Sequence, residues 1–325
     1  MLPRLKTQAL TQGAFFAALM TVLGVLGIYA PPLFFLTNLV IPVILAVLVR
    51  RQSLQAGVAA LIVFSILVLL FVGPKLAVVI LIFQTAPLGL VLGLLFKNHA
   101  SAGISIVFSC VTLAVFTLFG LAVSIWVTGN NPLMAGEEVK QAMAQVADWY
   151  ARVGLTERLP RNELEKILAE TAVTVSQLIP AHLVIWSFIS AFLTYFLARQ
   201  ALVKLAYSPA PLPPFAQWQV PWYISWGVIA GLGLTLAGDS LKIFPAAVLG
   251  KNMLYVSGFL YFVAGLAVCN FYLTKWSVSR LVKFFFIGLA VFYLPFVVVA
   301  LAVLGILDSF FDLRRSRSGK KGKDR

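Results

Sequence analysis

The strongest constraint on this chain is a run of more than one hundred mostly apolar residues, 12–127, that contains no aspartate or glutamate. The first acidic residue is Glu137. An α-helix needs ~20 apolar residues to cross the hydrocarbon core of a bilayer, so the run is long enough for five such helices. Because 61% of the residues are hydrophobic and only 11% are charged, no water-soluble core would cover so much apolar surface. The sequence therefore predicts an all-α membrane protein.

Nine apolar segments are candidates for the spans of a polytopic transmembrane helical bundle. Two of them are weak candidates, because 222–238 is short and Pro295 interrupts the last segment. We therefore predict eight or nine spans, and we favour eight. The nine segments cover about 10–30, 34–49, 53–72, 76–96, 102–127, 174–198, 222–238, 250–274 and 281–307.

Basic residues in the short loops predict the orientation of the bundle. Lysine and arginine accumulate in the cytoplasmic loops of membrane proteins, and here most of them lie on one side of the predicted spans. We therefore expect a protein of the bacterial inner (cytoplasmic) membrane whose N-terminus is cytoplasmic. The basic residues on that side are Arg4, Lys6, Arg50, Arg51, Lys97, Arg199, Lys204, Lys275, Arg280 and Lys283.

The C-terminal tail, 314–325, is strongly basic, since seven of its twelve residues are lysine or arginine. Nine spans would place this tail outside the cytoplasm, against the charge rule, which is why we favour eight spans with both termini inside. We predict a disordered tail that binds anionic lipid headgroups, with ~1 kcal/mol available per basic residue near the surface. Binding to anionic lipid headgroups explains the net charge of +14, so we expect no nucleic acid as a partner.

A polar insert interrupts the apolar sequence after the fifth span. Apolar residues recur at three- and four-residue steps from Val139 to Val153, and a second helix is predicted after Pro160. We interpret the insert as an extracytoplasmic helical hairpin on the outer bilayer surface, with a lid over an outward-facing cavity as the alternative. The predicted regions are a five-helix membrane region at 1–127, the amphipathic insert at 128–173, a C-terminal membrane region at 174–313 and the basic tail at 314–325.

A proline-rich connector at 208–221 lies within the C-terminal membrane region. Five prolines between 209 and 221 exclude a helix, and the connector is too apolar for a free linker. Phe215, Trp218 and Trp222 predict an ordered, extended segment that docks on the protein's own membrane face.

Polar side chains inside the spans are the candidates for lining a ligand site, because an intramembrane polar group needs a partner. They are Asn38, Gln84, Asn252 and Asn270. Gln84 lies three residues before Pro87, whose missing N–H frees a nearby carbonyl. The alternative for each residue is an ordinary hydrogen bond between helices.

Acidic residues near the ends of the later spans have a different interpretation. Asp239 and Lys242 are spaced for an ion pair within one helical turn. Asp308 and Asp312, which lie close to Arg314, predict a solvated helix end.

Small residues on the first helix predict a surface that another helix can approach closely. Ala9, Gly13 and Ala17 repeat every four residues, and Ala14 with Ala18 forms a parallel row. These five residues are the candidate interface for a partner helix. Packing within the same bundle is the alternative.

Enzymatic motifs are missing from the sequence. It contains no glycine-rich phosphate loop followed by Lys-Ser/Thr and no His-Glu-x-x-His, and its two histidines, His99 and His182, are far apart. We expect no catalytic residues, no metal site and no cofactor.

The first six spans resemble the substrate-binding S components of energy-coupling-factor transporters. The similarity lies in a basic N-terminus, the alanine-rich GAFFAAL at 13–19, a short second helix with Pro42, and the glycine-rich LGLVLGLLFK at 88–97. It implies a small-molecule ligand, a vitamin or a metal ion, near the outer face. It also implies that the small-residue face of the first helix docks on a transmembrane coupling subunit driven by ATPases.

The whole chain is more specifically similar to the YybS-like family of uncharacterised bacterial membrane proteins. The matching parts include the N-terminal GAFFAALMTVLGVLGIYAPPL, the connector LPPFAQWQVP, NMLYVSGFLYFVAGLAV at 252–268 and the closing LGILDSFFDLRR at 304–315. Two hypotheses about function follow. The chain is a substrate-binding component of a small-molecule (vitamin-like) uptake transporter, or it is a non-transporting scaffold for membrane or cell-envelope partners.

Overall fold

The computed structural model describes residues 7–73, 75–128, 145, 161–276 and 279–314, and all regular structure in these ranges is helical. The predicted amphipathic stripe from Val139 to Val153 and residues 315–325 of the tail lie outside the described residues. The α-helices are α1 Thr7–Tyr29, α2 Pro31–Arg51, α3 Leu54–Val72, α4 Leu76–Lys97, α5 Ala102–Thr128, α6 Arg161–Gln177, α7 Ile179–Lys204, α8 Ser225–Ser240, α9 Phe244–Lys275, α10 Arg280–Phe292 and α11 Leu294–Phe311.

The prediction of an all-α polytopic bundle is confirmed. Eight of the described helices are long and apolar enough to cross a membrane: α1 to α5, α7, α9 and α11. The helix predicted after Pro160 is α6, which begins at Arg161. The weak candidate 222–238 corresponds to α8, which has 16 residues, or ~24 Å, and is not among these eight. The predicted span 281–307 is two helices, since the chain breaks at Tyr293 just before Pro295.

The described residues form two compact units. Unit 1 combines α1 to α5 with most of α7, from Leu183, and continues to Leu212. Unit 2 combines α6 and the start of α7 with everything from Pro213 onward. Unit 1 therefore contains the six long helices to which the S-component resemblance refers.

The helices of unit 1 bring the basic residues together at one end. The amide of Gln52, after α2, donates to the side-chain oxygen of Gln12 in α1 at 2.7 Å. The Arg50 guanidinium lies 4.8 Å from the centre of the Tyr207 ring, which follows α7. We call this the basic end of unit 1. The opposite end, which we call the distal end, contains Lys75 beside the ring of Tyr29 at 5.6 Å.

Close packing of α2 on α4 fixes the middle of unit 1. A Cβ at Gly89 would lie 2.9 Å from the carbonyl of Pro42, and a Cβ at Gly93 would lie 2.9 Å from the carbonyl of Ala46. One turn further along α4, from Gly89 to Gly93, the contact also moves one turn further along α2, from Pro42 to Ala46. The two helices are therefore parallel. Only glycine permits this approach of two backbones. Large apolar side chains complete the core, including Met20, Leu45, Phe64 and Leu81.

Unit 2 is built around the 32-residue helix α9. Helix α8 packs antiparallel to it, with Gly238 against Ala247 and the Ser225 hydroxyl 2.8 Å from the Tyr261 hydroxyl. Helix α11 packs on the remaining length of α9.

Helices α9 and α11 run in the same direction. Gly265 in α9 lies against Leu301 in α11, and further along both helices the Tyr272 hydroxyl donates to the Leu313 carbonyl at 2.7 Å. Between them, α10 must therefore return the chain to the end where α9 starts, although its 13 residues span only ~20 Å. The sequence prediction treated this return and α11 as one span, 281–307.

The connector docks on the end of α11. Arg314 donates from Nη1 to the Ala216 carbonyl at 2.6 Å and from Nη2 to the Trp218 carbonyl at 2.7 Å. The Ser309 hydroxyl donates to the carbonyl of Val220 at 3.0 Å. The connector, the end of α9 and the end of α11 thus meet at one end of unit 2, which we call the connector end.

Two predictions about ion pairs were wrong. Asp308 is not solvated: its carboxylate accepts from Arg314 at 2.5 Å, and both side chains are at least 95% buried. Asp239 pairs across the α8–α9 hairpin with Lys251 at 3.9 Å rather than with Lys242, which lies in the turn with φ +55°. Sequence spacing found the residues but not their partners, because both pairs depend on how the helices pack.

The directions of the helices in unit 2 predict on which side of the membrane each of its loops lies. Topology reporters inserted after Trp218 and fused after Arg325 are expected to lie on one side of the membrane, because the connector and the end of α11 meet. A reporter inserted after Leu241, in the α8–α9 turn, is expected on the opposite side. If the reporters after Trp218 and Arg325 lie on opposite sides, the parallel arrangement of α9 and α11 is wrong.

Candidate functional site

Unit 1 contains a cavity of about 370 Å³ between α2, α4, α5 and α7. Two of the predicted ligand-lining residues, Asn38 and Gln84, both line it. Thr117 and Ser190 contribute hydroxyl groups from α5 and α7. This volume lies within the ~300–1,000 Å³ that is typical of small-molecule sites. The apolar part of the lining consists of Phe34, Phe35, Leu39, Ile80, Leu88, Leu113 and Trp186.

The side-chain amide of Asn38, one of the lining residues, has an oxygen without a hydrogen-bond partner among the described residues. Its amide nitrogen donates to the Phe34 carbonyl one turn earlier in α2, at 2.9 Å. A carbonyl only accepts, so the nitrogen must face Phe34 and the oxygen Oδ1 must face away. That oxygen is buried and has no hydrogen-bond partner among the described residues. Leaving such an atom without a partner costs about 1–3 kcal/mol.

A proline removes one backbone hydrogen bond from each of the two helices, α2 and α4, that carry Asn38 and Gln84. Pro42 lies four residues after Asn38 and has no N–H to donate to the Asn38 carbonyl. Pro87 in α4 likewise leaves the Phe83 carbonyl, next to Gln84, without its helical donor. The side chain of Gln84 makes no hydrogen bond within the described part of the chain, so its amide is available to a ligand.

Aromatic rings contribute to the lining of the cavity. Phe35 and Trp186 are in contact, with ring centroids 5.4 Å apart. They are 47% and 43% exposed. Flat aromatic surfaces favour flat ligands, through stacked or edge-to-face contacts.

The cavity lies in the half of unit 1 away from the basic end. Asn38 is seven residues from the start of α2, and Gln84 is eight residues from the start of α4. Both helices start at the distal end, so these side chains lie ~10–12 Å from it along helices that cross ~30 Å of hydrocarbon. None of the described residues that line the cavity carries a charge.

Several polar residues of this region were missed by sequence reasoning, which considered only amides and acids. Thr117 and Ser190 line the cavity; Ser109 lies about two turns deeper than Thr117 on α5, and Thr194 lies one turn deeper than Ser190 on α7. The hydroxyls of Ser109, Thr194 and the deeper Ser105 are fully buried without a partner among the described residues. Serine and threonine at four-residue spacing in α5 and α7 were the available signal, but most such hydroxyls in this chain bond their own helix.

The other two predicted ligand-lining residues lie in unit 2. Asn252 binds three backbone groups: it accepts from the Ala181 N–H at 2.8 Å and donates to the carbonyls of Gln177 and Val248 at 2.7 and 2.8 Å. It therefore joins the α6–α7 junction to α9. Asn270 is half-buried in α9 and is not part of the cavity lining.

The predicted partner interface on α1 divides into two faces. Ala9, Gly13 and Ala17 are buried, and Gly13 faces the Ala56 carbonyl of α3. Ala14 and Ala18 are exposed. The interface for a partner helix therefore stays a prediction for Ala14 and Ala18, while the buried row packs within unit 1.

Groups that hold metals do not cluster in the described part of the chain. No three His, Cys, Asp or Glu side chains lie together there. The Nδ1 of His182 lies 2.9 Å from the Leu178 carbonyl, and its Nε2 lies 3.3 Å from the Tyr255 hydroxyl. The ring therefore donates from Nδ1 and accepts from Tyr255.

Together, the fold and the cavity define a polytopic all-α membrane protein with an uncharged internal site. The chain belongs to the family described as "Predicted membrane protein (DUF2232)", whose model matches residues 18–309. It is similar to the "Uncharacterized protein YybS" of Bacillus subtilis (strain 168), with 24% identity over 311 residues that cover 95% of this chain and 98% of the relative. No solved structure matches the chain.

The predicted membership of the YybS-like family is confirmed by these comparisons. Neither the family description nor the name of the relative mentions transport. The resemblance to S components therefore stays a prediction.

Proposed function

We propose that unit 1 binds a small molecule in its cavity and that the protein is the substrate-binding component of an uptake transporter for a vitamin-like compound. The observation that carries this proposal is the cavity of ligand size inside the bundle, which is lined by the two side-chain amides of Asn38 and Gln84. The protein is a binding component in this proposal and not an enzyme.

The position of the cavity supports uptake rather than export. Arginines and lysines concentrate at the basic end of unit 1, which we assign to the cytoplasm of a bacterial inner membrane, with the N-terminus on that side. The cavity then lies in the outer half of the bundle, where a substrate arriving from outside would enter. We assign the driving force for release to a separate partner, since the sequence contains no glycine-rich phosphate loop followed by Lys-Ser/Thr.

The exposed small residues of α1 are the proposed docking face for a transmembrane coupling subunit with its ATPases. Co-purification from native membranes after gentle extraction tests this. We expect stoichiometric recovery of the coupling subunit and an ATPase with the wild type, and at least a tenfold loss in the double variant Ala14→Leu with Ala18→Leu. Ala230→Leu, at an exposed position of unit 2, is the matched control and should retain both partners.

A different set of partners would contradict the transporter proposal. Recovery of other membrane or cell-envelope proteins without any ATPase would support the scaffold hypothesis instead. Recovery of the same ATPase complex with the double variant would show that α1 is not the docking face.

A further inference from the structure

We infer that α5 and α7 separate between the cavity and the basic end of unit 1, and that this opening is the route by which the ligand leaves. The inference rests on the proposed function, because a release route presupposes a ligand in the cavity. The observation that leads to it is a group of three buried hydroxyls, those of Ser105, Ser109 and Thr194, which we call the hydroxyl seam.

The hydroxyl seam differs from the other buried hydroxyls of unit 1. Thr85 donates to the Leu81 carbonyl at 2.6 Å, and Ser187 donates to the Leu183 carbonyl at 2.7 Å. Such a bond to the preceding turn is how a helix satisfies these side chains in apolar surroundings. The three hydroxyls of the seam are fully buried and have no partner among the described residues. The closed packing of this seam is therefore costly.

On α5, the seam continues from the cavity toward the basic end. Leu113 lines the cavity, and Ser109 lies one turn from it toward the start of the helix. Ser105 lies one further turn in the same direction, three residues from the start of α5 at Ala102. That start is at the basic end, because α4 is parallel to α2 and ends there at Lys97.

On α7, the same arrangement runs in the opposite chain direction. Ser190 lines the cavity, Thr194 lies one turn further along the helix, and Ala198 lies one turn beyond that. Ala198 belongs to the same packed cluster as Ile106 of α5, which is three residues from Ser109. The hydroxyls of α5 and α7 therefore lie between the cavity and this cluster.

Separation of α5 from α7 gives these hydroxyls partners. Once the two helices part at this level, water or a polar group of the passing ligand reaches each hydroxyl. The closed form carries the cost of the unmet hydrogen bonds and the open form does not, so the hydroxyls bring the two forms closer in free energy. An apolar seam of the same shape would favour the closed form more strongly.

Removal of a seam hydroxyl tests this cost. Thr194→Val keeps the shape of the side chain, and we expect it to raise the Tm of the full-length protein in detergent by about 3 °C. Thr85→Val makes the same change at a buried hydroxyl that has a partner, so it should leave the Tm unchanged or lower it. An unchanged or lower Tm for Thr194→Val would overturn the inference, because its hydroxyl would then be satisfied in the closed form.

Cysteine labelling tests the opening itself. The protein is placed in nanodiscs, with Cys110 and Cys269 replaced by alanine. We expect a water-soluble maleimide to modify Ser109→Cys about tenfold faster than Ala60→Cys, because the seam opens without unfolding of unit 1. Ala60 is the matched control: it is 2% exposed and lies six residues into α3, while Ser109 lies seven residues into α5. Equal rates for the two cysteines would overturn the opening.

The cavity-filling change Thr117→Phe shows from which side the reagent arrives. Labelling of Ser109→Cys that persists in this background comes from the basic end, as the inference requires. Labelling that Thr117→Phe abolishes comes through the cavity and would overturn the route. These measurements use no ligand, so a native protein that retains no small molecule would contradict the proposed function separately.

Discussion

Replacing Arg314 by methionine is expected to lower the free energy of unfolding of unit 2 by about 3–5 kcal/mol, because it leaves the Asp308 carboxylate buried without its partner. The change also removes the donors that hold the carbonyls of Ala216 and Trp218. Thermal unfolding in detergent should show a decrease in Tm of about 10 °C. Limited proteolysis should show new cleavage in the connector, since Arg314 is its main anchor.

The exposed ion pair of the same unit provides the control. Lys251→Met breaks the contact with Asp239, in which both side chains are at least 40% exposed, and should cost less than about 1 kcal/mol. Arg314→Lys keeps the charge but loses the fork that binds both Asp308 and the connector, so an intermediate effect is expected. Equal losses for Arg314→Met and Lys251→Met would show that the buried pair does not anchor the connector.

Replacing Gly265 by leucine is expected to separate α9 from α11. A Cβ at Gly265 would overlap the carbonyl of Leu301, and a Cβ at Gly305 would overlap the carbonyl of Tyr261. These obstacles are backbone atoms that no rotamer change can move. We expect a loss of more than about 3 kcal/mol in the free energy of unfolding, with much less folded protein in the membrane.

Gly258 makes the matching control possible on the same helix. A Cβ at Gly258 meets nothing within 4 Å, so Gly258→Leu should be neutral or slightly stabilising through its higher helix propensity. The yield of monodisperse protein and the unfolding midpoint report both variants. A Gly265→Leu protein as stable as Gly258→Leu would contradict the close parallel packing of α9 and α11.

Local sequence patterns predicted most of the helices of this protein. Runs of apolar residues and their proline breaks depend on neighbours in sequence, so α1 to α5 lie close to the predicted segments. The connector was also predicted as ordered, because its prolines and aromatic residues exclude both a helix and a free linker. Asn38 and Gln84 were found because polar groups are costly in a membrane at any position.

Features that depend on packing were not predictable in the same way. The parallel direction of α9 and α11 follows from Gly265 and Gly305, which sequence alone does not pair. The burial of Asp308 with Arg314 also needs the connector, which lies almost a hundred residues earlier in the chain. Asn38 and Asn252 look equivalent in sequence, yet one borders a cavity and the other joins three backbone groups.

Ligand retention tests the central claim, that the cavity of unit 1 binds a small molecule. The measurement is mass spectrometry of the compounds released from protein purified gently from its native membrane. It compares the wild type with Thr117→Phe, which fills the cavity, and with Thr112→Phe, which makes the same change on α5 outside the lining.

We predict one small-molecule compound that the wild type and Thr112→Phe retain in stoichiometric amount and that Thr117→Phe loses. Retention of only phospholipid or detergent by all three proteins would contradict the claim. So would a compound that Thr117→Phe retains as well as the wild type does.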